Sequence, residues 1–164
     1  MKKIMLSNVE PEFNADSDSL AKVISTRLGL LPRKKGANNN MHKILLELYE
    51  RMKNSTREKM PENSIMTVEE MATLVNITKQ TMYEYLDRWL TIEIIIKVSF
   101  VGRDSKIIRG YRLNGSTLED AFTKVKAIIN NNIKETEKYI IELQKQLKNE
   151  KIRNTIARKK ENQF

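Results

Sequence analysis

The 164-residue chain has no cysteine, one histidine, three prolines and five glycines, and only 6% of it is aromatic. Each shortage excludes some chemistry. Without cysteine there is no disulfide, no thiol nucleophile and no cysteine-liganded zinc. A single histidine, His42, rules out a histidine-rich metal centre and limits any Ser-His-acid set to that one residue. His42 falls where a helical pattern begins and is read as a helix-start residue. The glycines, Gly29, Gly36, Gly102, Gly110 and Gly115, never fall into a G-x-G-x-x-G or Walker pattern, so nucleotide binding by those loops has no support. No run approaches the ~20 apolar residues that span a bilayer. The opening MKKIMLSNVEPEF lacks the apolar region and cleavage site of a secretory signal. The expectation is a cytoplasmic protein with no membrane partner. Carboxylates form no catalytic pair either: Glu69 and Glu70 are adjacent and diverge around a helix, while Glu119 and Asp120 suit a helix's first turn. The expectation is no enzyme, no cofactor and no metal.

What is abundant is positive charge. Thirty Lys and Arg against 21 Asp and Glu leave +9, which favours a polyanionic partner. The length suits one small core with an appendage.

Residues 1 to 18 have little periodicity. Ser19 is expected to cap a short helix to about Leu28, with Leu20, Val23, Ile24 and Leu28 on one face, ended by Gly29. A loop, LPRKKGANNNM, follows with three adjacent cations, Arg33, Lys34 and Lys35. Ile44, Leu45, Leu48 and Met52 predict a core helix from Met41 to about Lys53, then a polar connection from Asn54 to Ser64. Thr67 and Glu70 form a capping box for a helix with Val68, Met71, Ala72, Leu74 and Val75 apolar. Asn76 tolerates the left-handed turn that ends it, and Thr78 caps the next helix. There Met82, Tyr85, Leu86, Trp89 and Leu90 face inward and Lys79, Gln80, Thr81, Tyr83, Glu84, Asp87 and Arg88 outward. The β-branched run Ile92 to Val101, the polar turn GRDSK and Ile107 to Leu113 predict a hairpin. Ser116 or Thr117 then caps the longest helix. Its seam of Leu118, Phe122, Val125, Ile129, Ile133, Thr136, Ile140, Leu143 and Leu147 follows a heptad repeat with one stutter, and a basic, frayed tail is expected beyond it.

Helix, helix, tight turn, helix, hairpin is the order a winged helix-turn-helix requires. A helix fits the major groove of B-DNA, so the outward residues of the second helix of the pair can meet base edges. Gln80 can contact adenine in bidentate fashion, and Lys79 can reach guanine or phosphate. Thr78, Thr81, Tyr83, Glu84 and Arg88 complete that surface, Arg88 toward the backbone. Arg103, Lys106 and Arg109 form a basic hairpin able to lie along a minor groove or phosphates, and Arg33, Lys34 and Lys35 a second basic arm.

The stretch TVEEMATLVNITKQTMYEYLDRW, Thr67 to Trp89, resembles the winged helix-turn-helix transcriptional regulators of bacteria and archaea, with Ala72 at the tight crossing and Asn76 where many members have glycine. IIRGYRLNGSTLEDA is similar to the same superfamily, and the likeness covers roughly residues 41 to 125. In its PadR-like and MarR-like families terminal helices build a homodimer. The resemblance implies a mainly α fold with a small β-hairpin, organised as a leader and basic loop over 1–40, a DNA-binding domain over 41–115 and a dimerisation helix over 116–164. It also implies a sequence-specific duplex-DNA-binding homodimer acting in transcription, paired along a coiled coil through Leu118, Phe122, Val125, Ile129, Ile133, Ile140, Leu143 and Leu147, parallel or antiparallel. A partition, replication or architectural DNA-binding role is the first alternative. A protein-interaction adapter that never meets DNA is the second.

Overall fold

Helix formation starts two residues earlier than the apolar pattern suggests. In a computed structural model, which describes residues 4–32 and 40–164, helix α1 spans Ser17–Arg27 and is capped by Asp16, whose carboxylate accepts the Ser19 N–H at 2.8 Å. Its buried face is Ala21, Ser25 and the following Leu28, while Leu20 and Ile24 are each 41% exposed. Small residues let α1 lie close on the next helix, so proximity decides the face over hydrophobicity. Gly29 (φ +68°) reverses the chain where a Cβ would meet the Met5 carbonyl oxygen at 2.7 Å, and Leu30 enters the core.

Helix α2 spans His42–Glu58, a turn longer than expected. No breaker lies between Asn54 and Glu58, and the hydroxyls of Ser55 and Thr56 both donate to the Met52 carbonyl. Lys59, left-handed at φ 55°, ends it. His42 is buried, with Nε2 2.9 Å from the Asp18 carboxylate, which ties the starts of α1 and α2. After a 3₁₀ turn at Pro61–Ser64, helix α3 spans Val68–Val75 behind a complete Thr67/Glu70 capping box. Asn76 is left-handed (φ 55°, ψ 52°), and Thr78 caps α4, Lys79–Thr91. Ile92 caps the far end of α4, so strand β1 begins only at Ile95 and runs Ile95–Val101.

Strand β2, Ile107–Leu113, pairs antiparallel with β1 from Ile95↔Leu113 to Val101↔Ile107. One residue adds a third strand's worth of pairing. Met66 and Tyr111 exchange both backbone hydrogen bonds at 2.8 Å, which moors the hairpin to the segment before α3. Gly110 permits that approach: a Cβ there would overlap the Met66 carbonyl oxygen and lie 2.7 Å from Ile65 Cγ2.

The core gathers Ile44, Leu45, Leu48, Leu86, Trp89, Ile95 and Leu113, with Met41, Met52, Met66, Met71 and Met82 also buried. Tyr85 and Leu90, expected inside, are only half-buried, and Leu74 is exposed. Trp89 donates its indole N–H to the Leu30 carbonyl at 3.3 Å.

Helix α5 spans Leu118–Glu161 behind Thr117, whose hydroxyl accepts the Asp120 N–H. The chain divides into two units, Met1–Lys126 and Ala127–Phe164. In the first, Ala121 and Val125 are fully buried. In the second, the helix continues well past Leu147, where fraying was expected. The segment has no proline or glycine, is rich in good helix formers, and ends on Arg158, Lys159 and Lys160, which favour the helix C-terminus. Among the described residues no helix is long and apolar enough to cross a membrane.

Candidate nucleic-acid interface

Helix α4 has two unlike faces. Met82, Leu86 and Trp89 are locked into the core, which fixes the helix about its own axis, and its first turns present the opposite face to solvent. Lys79, Gln80, Tyr83 and Glu84 are exposed there, beside the exposed Thr78. Thr81 is half-buried, and its hydroxyl lies 2.8 Å from that of Thr78, which in turn accepts the Thr81 N–H. These two hydroxyls hold the helix start together. Lys79 pairs with Glu69 of α3 at 2.5 Å. The side-chain hydrogen bond between them holds the Glu69 carboxyl below its ordinary pKa and raises that of the Lys79 ammonium. Gln80, by contrast, makes no hydrogen bond among the described residues and is free for an external partner.

Arg88 has a partner within the chain. Its guanidinium donates to the Leu31 carbonyl at 3.2 Å, so with the Trp89 indole it anchors the chain that follows α1. Arg33, Lys34 and Lys35 lie outside the described residues.

The hairpin supplies the charge that α4 lacks. Along α4, Lys79 and Arg88 are balanced by Glu84 and Asp87, whereas residues 95–113 carry Lys97, Arg103, Lys106, Arg109 and Arg112 against Asp104 alone. Strand alternation sorts them. Tyr111, Leu113 and Ile95 are buried on one face, and the exposed Lys97 and Arg109 continue that same face outward, Lys97 directly opposite Tyr111. Burial, and then the nearby Tyr83, raises the Tyr111 hydroxyl's pKa, which relates this face to α4. Sequence reasoning missed Lys97. The signal was present, since it is the only charged residue between Ile94 and Val101. Arg103 and Lys106 are exposed at the tip, Lys106 at 3.8 Å from Asp104.

A helix about 10–12 Å across matches the ~12 Å major groove. An unpartnered primary amide at its N-terminal end, flanked by an exposed lysine and tyrosine, suits hydrogen bonding to base edges. The Lys79–Glu69 pair is solvent-exposed and exchanges at small cost.

An open groove between α2 and α3 is lined by Arg51, which donates to Glu47, to Glu70 and to the Ile65 carbonyl. Burial opposes its charge, but the two carboxylates outweigh that and raise the guanidinium's pKa. It is a strut between helices. Among the described residues no group of three or more His, Asp or Glu side chains is placed to hold a metal.

Of the seam residues in the first unit, Val125 faces the chain's own core, Leu118 is half-buried and Phe122 is exposed. In the second unit Ile129 is half-buried, and Ile133, Ile140, Leu143 and Leu147 are 51–58% exposed. Compared with protein families, curated proteins and solved structures, the chain matches none of them.

Proposed function

We propose that the chain is a sequence-specific duplex-DNA-binding protein of the winged helix-turn-helix kind, acting in transcription and pairing with a second copy along α5. The observation that carries this reading is α4 itself. Its inner face is fixed by Met82, Leu86 and Trp89, and its outer N-terminal face offers Gln80 unpartnered beside Lys79 and Tyr83. The basic hairpin, moored through Met66 and Tyr111, supports the wing of that reading. Lys97, Arg103, Lys106 and Arg109 meet phosphates, and Gln80 and its neighbours read bases. Thr78, Thr81 and Arg88 position the reader. The row Ile133, Ile140, Leu143 and Leu147 supports pairing: exposed apolar residues at heptad spacing along one helix favour burial against a like helix.

The test is fluorescence anisotropy of a labelled duplex from upstream of the protein's own gene and of a random duplex, at low salt and at ~200 mM. Tight binding to the upstream duplex that survives the higher salt supports a specific regulator. Equal binding released together by salt supports a partition, replication or architectural role. Binding to neither refutes the DNA reading and favours the adapter, for which charge reversal at Lys79 and Arg103 leaves function intact.

A further inference from the structure

We infer that the last turns of α5 carry a second duplex-DNA-binding surface, distinct from α4 and the hairpin. It rests on the DNA reading above and adds to it a site on the other unit. A residue advances about 100° around a helix, so Lys148, Lys151, Thr155, Arg158 and Lys159 fall within one arc of about 100°. All five are exposed. The acidic residues of the segment, Glu150 and Glu161, lie outside that arc, on the side where the apolar seam would continue.

Two further observations separate this stripe from an ordinary solvated face. Earlier in α5, Lys124 pairs with Asp120 at 3.7 Å and Lys138 with Glu135 at 2.7 Å, whereas Lys126 and Lys134 have no ion pair among the described residues. Among the described residues, no cation from Lys145 to Lys160 has an ion pair. The seam also stops before the helix does. After Leu147 its positions are taken by Glu150, Asn154 and Ala157, yet the backbone stays helical to Glu161. Lys148, Thr155 and Lys159 lie off the line of the seam while Lys151 and Arg158 border it, so pairing of α5 with a second copy leaves the outer edge of the stripe open.

From residue 148 to 159 the helix rises about 16 Å, alongside roughly ten phosphates of a duplex. A rigid row of four cations at that length tracks a DNA backbone. A membrane surface is the poorer occupant, because an interfacial helix needs a broad apolar face. This segment has only Ile152 and Ile156, flanked by Lys145, Asn149 and Arg153.

The test uses the full chain with Lys148→Gln, Lys151→Gln, Arg158→Gln and Lys159→Gln combined, since glutamine keeps helix propensity. Each phosphate contact contributes about 0.9 to the slope of log affinity against log salt. On a random duplex of about 40 base pairs the slope should shrink by about two to four, with unchanged helix content by circular dichroism. Lys134→Gln with Lys138→Gln should leave it within about 0.5 of wild type. A smaller change in the fourfold variant, or an equal change per charge in the twofold one, overturns the inference while leaving the α4 reading intact. Loss of binding to phosphatidylserine vesicles with an unmoved DNA slope overturns it in favour of lipid. A wild-type chain that binds no duplex overturns both.

Discussion

Replacing Gly110 by alanine tests how the hairpin is held. The added Cβ would overlap the Met66 carbonyl oxygen and sit 2.7 Å from Ile65 Cγ2 and 2.9 Å from the Met66 carbonyl carbon. Comfortable carbon–carbon contact is about 3.5–4.0 Å, so β2 must withdraw by roughly an ångström. Withdrawal stretches the reciprocal 2.8 Å hydrogen bonds between Met66 and Tyr111, each contributing about 1 kcal/mol. It also loosens Tyr111, only 4% exposed, and Met66, 1% exposed, against the core. The sum is a loss of about 2–4 kcal/mol. Gly102→Ala is the control, because its nearest neighbour would be the mobile Asp104 carboxylate at 3.1 Å, and the change should be within about 1 kcal/mol of neutral. Urea unfolding followed by Trp89 fluorescence reads both, since the only tryptophan is fully buried. The midpoint should fall for Gly110→Ala with the transition slope unchanged. If Gly110→Ala unfolds within about 0.5 kcal/mol of wild type, the Met66–Tyr111 bridge does not hold the hairpin.

Four other outcomes follow from the same geometry. Ser25→Ala should stabilise the fold by about 0.5–1 kcal/mol in the same assay, because the Ser25 hydroxyl is buried and has no partner among the described residues. Arg88→Met should cost about 1 kcal/mol through the lost bond to Leu31, whereas Gln80→Ala should leave stability unchanged and lower DNA affinity. Because the Glu69 carboxyl titrates below its ordinary 4.5, its tie to Lys79 is complete above that pH and is lost as pH falls through the lowered value. Lys79→Gln should therefore raise the Glu69 midpoint toward 4.5 in a carboxyl-carbon NMR titration. Leu143→Lys should shift sedimentation toward the monomer while unfolding of the first unit is unaffected, since Leu143 is 58% exposed in the second.

Local chemistry made much of this chain legible. Thr67 with Glu70, Asn76 and Thr78 act within a turn of themselves, so their roles at α3 and α4 follow from spacing alone. The long seam and the period-two strands are equally local. Features that depend on distant partners were not legible. Leu20 and Ile24 imply one buried face for α1, but the approach of α2 selects Ala21 and Ser25. The bond of Arg88 to the Leu31 carbonyl, 57 residues away, leaves no local signal. A single-residue bridge such as Met66 with Tyr111 leaves no periodicity. The end of α2 was misplaced because polar Asn54 to Glu58 imitates a loop while still favouring helix.

The buried methionines have a consequence of their own. Met41, Met66, Met71 and Met82 are almost completely buried. Unbranched thioethers change rotamer easily and fill irregular gaps. In the DNA reading proposed above, such soft side chains spread the cost of small adjustments at the reader helix. The same side chains are vulnerable to oxidants, since one sulfoxide there would introduce a polar group where no water reaches.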